Sequence, residues 1–161
     1  MKKLFLLLVL ILICLFSIGV KAQCHNMMGS HVLLNKDKLV WNKVPPSLPP
    51  GAMLAVLEGD MSKEGPFTVR LTVPANYKIP PHWHPAIEHV TVVKGSFYMG
   101  SGEKFDEAAA TKLTVGGFAV MPVKHVHYAF SKEAAEIQLH GMGPWGITYI
   151  NAADDPRNKK P

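Results

Sequence analysis

Five of the eight histidines fall in two short segments, 80–89 and 122–127. The first reads Pro80-Pro81-His82-Trp83-His84-Pro85-Ala86-Ile87-Glu88-His89, and the second Pro122-Val123-Lys124-His125-Val126-His127. In extended backbone, residues i and i+2 point the same way, so His82 and His84 project to one face about 7 Å apart. Pro80, Pro81 and Pro85 remove backbone donors and stiffen the approach. Glu88 follows past a turn at Pro85-Ala86, where an adjacent antiparallel strand can bring its carboxylate against the two imidazoles. These three groups form part of a metal shell and a fourth ligand must come from elsewhere; His127 lies further on, on a separate strand. Imidazoles with a carboxylate, without thiolate, suit one divalent transition metal (Mn, Fe, Co, Ni, Cu or Zn) and argue against Cu(I) or an iron–sulfur cluster. The alternative is a hydrogen-bonded polar cluster with no metal, which must carry the desolvation of four polar groups.

Other residues could join this chemistry. His125 shares strand parity with His127, so it is the candidate acid or base at the cavity mouth if the strand already runs there. Gln138 and His140 share parity opposite Ile137 and Leu139, and either set could face the interior and contact a bound cofactor or substrate. His89 alternates away from Glu88 and reads as an outer-sheet residue. Trp83 and Trp145 read as core or interface aromatics.

The elements that must position these groups are short strands. Phe67, Val69, Leu71 and Val73 alternate with Thr68, Arg70 and Thr72, giving one apolar and one polar face. Similar runs of β-branched and aromatic residues lie at 53–57, 88–93, 96–100, 117–121, 125–130, 134–140 and 147–150, separated by turn signals. Lys94-Gly95 reads as a hairpin turn. Residues 105–112 read as a short helix or a loop, and Pro45-Pro46-Ser47-Leu48-Pro49-Pro50 as a stiff connector. This many short antiparallel strands in ~115 residues predicts one all-β domain over 39–152, a double-sheet jelly roll or small barrel. A polar tail follows at 153–161.

The first 22 residues differ from the rest. Lys2 and Lys3 precede a long apolar stretch from Leu4 to Val20, and Val20-Lys21-Ala22 offers small or aliphatic residues at the two positions a signal peptidase reads. This predicts a secretory signal peptide over 1–22, cut after Ala22, and a periplasmic or secreted protein. The alternative is an uncleaved anchor. Residues 23–38 then form an N-terminal arm. Without the segment, 14 Lys and Arg face 12 Asp and Glu, so the formal charge drops from +5 to +2. Cys14 leaves with it, and Cys24 alone cannot form an internal disulfide. With two Arg in the chain and no long basic cluster, nucleic acid is excluded as a partner. A membrane partner is excluded once the segment is removed.

The spacing His82-x-His84-x3-Glu88-x6-Gly95, with Gly116-x5-Pro122-x4-His127 downstream, resembles the cupin superfamily. Its two motifs are Gly-x5-His-x-His-x3,4-Glu-x6-Gly and Gly-x5-Pro-x-Gly-x2-His-x3-Asn. His82, His84, Glu88 and Gly95 match the first motif, and Gly116, Pro122 and His127 the second. Asn76 stands at the opening glycine, Lys124 at the internal glycine and Ser131 at the final asparagine. The resemblance covers roughly 67–140. Gly59-Asp60, Gly65-Pro66-Phe67 and 141–146 look similar to a branch of single-domain cupins related to a plant protein named for DNA-damage toleration. The resemblance implies a double-stranded β-helix and a metal held by His82, His84, Glu88 and His127. It leaves two functions open: an enzyme acting on a small molecule by dioxygenase or isomerase chemistry, or a non-catalytic metal- or ligand-binding module. A homodimer through a sheet edge is compatible with either.

Overall fold

The computed structural model of the chain describes residues 31–159. The segment read as a signal peptide, and the first part of the arm with Cys24, lie outside the described residues.

Within the unit that begins at Val32, eleven strands are described. They are β1 (Asn42–Lys43), β2 (Met53–Glu58), β3 (Gly65–Val73), β4 (Lys78–Trp83), β5 (Glu88–Lys94), β6 (Ser96–Ser101), β7 (Thr111–Thr114), β8 (Phe118–Met121), β9 (His127–Phe130), β10 (Ala135–Gly143) and β11 (Thr148–Tyr149). They form two antiparallel sheets, one ordered β1-β2-β3-β10-β5-β8 and the other β11-β4-β9-β6-β7. This is the all-β jelly roll expected from the strand pattern.

The alternation in β3 sets the inside of the barrel. Phe67, Val69, Leu71 and Val73 are buried, while Thr68, Arg70 and Thr72 face outward. β10 pairs with β3 along its whole length, from Ala135 opposite Val73 to Gly143 opposite Gly65. Val90 and Val92 of β5 and Phe97 and Met99 of β6 complete the inner faces, so one apolar core lies between the sheets. Each large aliphatic or aromatic side chain buried here is worth about 1.5–3 kcal/mol.

One local expectation fails for a topological reason. Lys94-Gly95 is not a hairpin turn, because β5 and β6 belong to different sheets. The chain crosses the barrel there with Gly95 at φ +72°, and a Cβ would sit 2.6 Å from the Ala134 carbonyl oxygen. Of the two readings of residues 105–112, a short helix or a loop, the structure has the loop, which runs into β7. The Asp106 carboxylate accepts from the Ala108 and Ala109 amides in a turn, and β7 begins at Thr111.

The two glycine positions of the motifs that this chain fills differently keep the glycine conformation. Among the described residues, Asn76 (φ +60°) and Lys124 (φ +59°) are the non-glycine residues with positive φ. Asn tolerates that region through local hydrogen bonding, and Lys carries a steric cost.

Candidate metal centre

β4 and β9 carry the histidines. They pair so that His82 stands directly opposite His127, after an irregularity in the ladder beyond Ile79. His84 follows one residue past the end of β4. Glu88 opens β5, which lies in the other sheet. The carboxylate therefore reaches the imidazoles across the barrel, not from a neighbouring strand as the sequence suggested.

All four residues are buried, at 1–6% exposure. The three histidines can bring ring nitrogens within 4.8 Å of one another. Glu88 Oε2 lies 3.2 Å from His127 Nε2, and Glu88 Oε1 lies 3.6 Å from His84 Nε2.

Each imidazole is oriented by the backbone. His82 Nδ1 bonds the Pro80 carbonyl at 2.7 Å, His84 Nδ1 the Gly146 carbonyl at 2.7 Å, and His127 Nδ1 the His125 carbonyl at 2.9 Å. A carbonyl oxygen only accepts, so each ring carries its proton on Nδ1 and presents a bare Nε2 lone pair. Trp145 stacks on His84 at 4.1 Å with the planes 17° apart and so fixes the third direction of that ring. Its amide donates to the Met61 carbonyl at 2.7 Å, which ties 145–146 to the 59–62 turn.

The result is a cluster of acceptors with no donor. His84 Nε2 and Glu88 Oε2 are buried and lack any hydrogen-bond partner. Lone pairs facing a carboxylate are unfavourable unless a cation or a proton lies between them. The proton is disfavoured. Burial holds the His82 imidazole well below its usual pKa, and the adjacent His127 and His84 push it further down. Burial also lowers His84, against the opposing pull of Glu88. A divalent metal fits this donor set, because it needs deprotonated imidazoles whose other nitrogen is tied to a fixed acceptor.

The lowered values carry a stability consequence for metal-free protein. An unfolded chain protonates its histidines near pH ~6.5, before His82 and His84 can do so in the fold. Their share of stability is present above that pH and is lost as the pH falls below it. Denaturant midpoints of metal-free protein should therefore fall between about pH 7 and pH 5, and more steeply than for His82→Ala. Equal slopes would show that His82 is not depressed.

The cluster opens into a cavity of about 420 Å³ between the sheets. Its walls include Leu54, Val69, Leu71, Ile79, Val90, Phe97, Met99, Ile137, Leu139 and Ile147. Val56, Asp60 and Ser62 line it and are exposed, which places the mouth beside the 59–62 turn.

Three candidate residues are not brought to the cavity. His125 precedes β9, in the turn where its amide bonds the Pro122 carbonyl, and its Nε2 meets Ser101 Oγ at 2.9 Å. Strand parity with His127 fails because the strand starts only at His127. What His125 contributes is its carbonyl. Gln138 and His140 stand on the outer face, since Ile137 and Leu139 take the inner one. Gln138 Oε1 accepts from Arg70 Nε at 3.2 Å, and His140 stacks on His89 at 4.5 Å. Sequence reasoning missed the service of Trp145 and Gly146 to His84. The Gly146 contact runs through a carbonyl, which leaves no side-chain signature.

No protein-family model and no curated protein matches the chain. Solved structures do match in fold. The polyketide cyclase RemF of Streptomyces resistomycificus is similar at a TM-score of 0.65 and 14% identity, over 79% of this chain and 90% of that one. An RmlC-like cupin of Shewanella frigidimarina is similar at 0.56 and 14%, over 71% and 91%. A provisionally assigned acetylacetone dioxygenase of Methylibium petroleiphilum is similar at 0.58 and 18%, over 81% and 90%. At these identities the likeness speaks for the fold. Two antiparallel sheets closed around a cavity are the fold this chain shares with these structures, an RmlC-like cupin among them.

Proposed function

We propose that this protein is an exported cupin that holds one divalent transition metal through His82, His84, His127 and Glu88 and acts on a small molecule admitted to the adjoining cavity. The observation that carries this reading is the buried set of four acceptors without a donor, with every imidazole proton committed to a backbone carbonyl. When bound, such an ion supplies Lewis-acid polarisation of a substrate oxygen or redox chemistry with dioxygen. The polypeptide does the rest: carbonyls of Pro80, Gly146 and His125 hold the rings, and the apolar walls exclude water.

Enzymatic use of the site gains support from the polyketide cyclase among the structures of like fold. A second reading, a binding module without turnover, is favoured by a different observation. Besides the four proposed ligands, Asp60 is the one acidic or basic side chain among the described residues lining the cavity. Its carboxylate is tied into its own turn by Ser62 and Lys63, which hold its pKa below the usual range. A poised proton carrier is thus missing from the described wall, and any turnover would rest on the metal.

Elemental analysis of purified protein, and of protein reconstituted with Mn, Fe, Ni or Zn, tests the metal. About one ion per chain is the expected content. Protein that stays metal-free after all four reconstitutions overturns the ligand assignment. Oxygen uptake by the Fe- or Mn-loaded protein with catechol-, flavonol- and diketone-type compounds separates the readings. Uptake supports the dioxygenase form, and its absence with retained metal leaves an isomerase or a binding module.

A further inference from the structure

The walls of the cavity say what kind of molecule it takes. Among the described residues that line it there is no Lys, Arg, Asn, Gln, Thr or Tyr. The polar side chains there are the four of the candidate metal centre, Trp145 with its buried indole nitrogen, and Ser47, Asp60 and Ser62. The Ser62 hydroxyl and amide are both spent on Asp60. The rest of the lining is hydrocarbon, apart from the backbone of Gly59 and Gly146.

Such a cavity rejects three common classes of small molecule. A carboxylate or phosphate held away from the metal would be buried without a cation, and the two acidic side chains of the lining, Glu88 and Asp60, repel it. A sugar would bring a hydroxyl on nearly every carbon to walls whose unspent side-chain donors away from the centre are the Trp145 indole and the Ser47 hydroxyl, and each unmatched hydroxyl weakens binding. With Glu88 committed to the metal centre, a free cation would gain only Asp60, already paired with Lys63 at 2.9 Å. An apolar molecule loses nothing on entry and gains the burial of its surface. The volume, about 420 Å³, lies toward the lower end of cavities that enclose a small organic ligand.

We propose that the ligand of this protein is a neutral, largely hydrocarbon molecule, aromatic or alicyclic, whose polar atoms are one or two oxygens at the end that meets His82, His84, Glu88 and His127. This deepens the metal-site reading and rests on it for the oxygen end alone; the apolar end rests on the walls. The occupant follows from the two kinds of surface the cavity offers: a compact polar centre at one end and uninterrupted Val, Leu, Ile, Phe and Met elsewhere.

Calorimetric titration of Zn-loaded protein with naphthalene-2,3-diol, naphthalene and galacturonate tests this. The diol should bind at least about tenfold more tightly than galacturonate. Naphthalene, which has no oxygen, should bind the Zn-loaded protein and the His82→Ala/His84→Ala variant with affinities within about threefold of each other, because the walls carry it. The advantage of the diol over naphthalene should vanish in that variant. Val56→Arg, at a 53% exposed position on the mouth where folding is not at stake, should improve galacturonate binding and leave zinc content unchanged. Galacturonate binding wild type as tightly as the diol overturns the proposal while metal content stands. Failure of naphthalene to bind either protein also overturns it. A diol advantage that persists in the metal-depleted variant overturns the placement of the oxygens at the centre. Protein that takes up no zinc contradicts the metal reading instead, and naphthalene against galacturonate still decides the apolar end.

Discussion

The His82→Ala/His84→Ala protein should retain less than about a tenth of the wild-type metal, because two of four ligands are gone and even indirect support of a ligand is worth 10–100-fold in affinity. Its far-ultraviolet circular dichroism should be unchanged. The two effects separate because the two jobs are done by different atoms. His82 is held in its ladder through its backbone, opposite His127, and the apolar core that closes the barrel is built on β3, β5, β6 and β10. The imidazoles add to the core little beyond their volume, and the Nε2 of His84 satisfies nothing. Truncation removes the buried His84 Nε2, an acceptor that has no donor, which offsets part of the packing loss. Elemental analysis beside a urea titration reads both. A variant that keeps wild-type metal content would remove His82 and His84 from the ligand set.

How much of this was legible in the sequence depends on the distance over which each inference had to reach. The His-x-His pair needed only the alternation of extended backbone across three residues. Glu88 was legible from the turn that precedes it, though not its sheet, and His127 needed the resemblance, because parity says which face of a strand a side chain takes and not which sheet the strand joins. The same gap explains Lys94-Gly95, where a turn signal is real but joins two sheets. It also explains why Glu88 approaches from across the barrel. His125 shows a different limit: parity was carried backwards from His127 into the turn that precedes β9, where the alternation of a strand does not yet apply. For β10 the sequence offered two alternating sets, Gln138 with His140 and Ile137 with Leu139. The choice was fixed by the pairing with β3, whose apolar face is unambiguous. Once Val69 and Leu71 point inward, Leu139 and Ile137 opposite them must too. The apolar character of the cavity belongs to no single motif, so it emerged only when the inner faces of both sheets were assembled.

Glu88→Gln should move two measurements in opposite directions. Metal affinity should fall by at least about 100-fold, since a buried anionic ligand becomes a neutral amide. The metal-free protein should become more stable, by about 1–3 kcal/mol, because the amide nitrogen can donate where the carboxylate cannot. The positions are already suitable. The carboxylate oxygens lie 3.2 Å from His127 Nε2 and 3.6 Å from His84 Nε2, and no donor reaches Oε2 or His84 Nε2. An amide placed there supplies the missing hydrogen to one of those lone pairs and removes a buried charge. A structural ion pair between Glu88 and a charged histidine predicts the reverse sign. Such a pair is strongly weakened when one partner is neutralised, because the other charge is left buried and unmatched. The lowered pKa of His84, held down by burial in spite of Glu88, argues against a charged imidazole at neutral pH. Urea unfolding of chelator-treated wild type and Glu88→Gln at about pH 7.5, where neutral imidazoles prevail, decides the sign. A less stable metal-free variant would make the cluster a structural salt bridge. A more stable one that has also lost its metal shows four groups kept at a cost to the fold for the ion they bind.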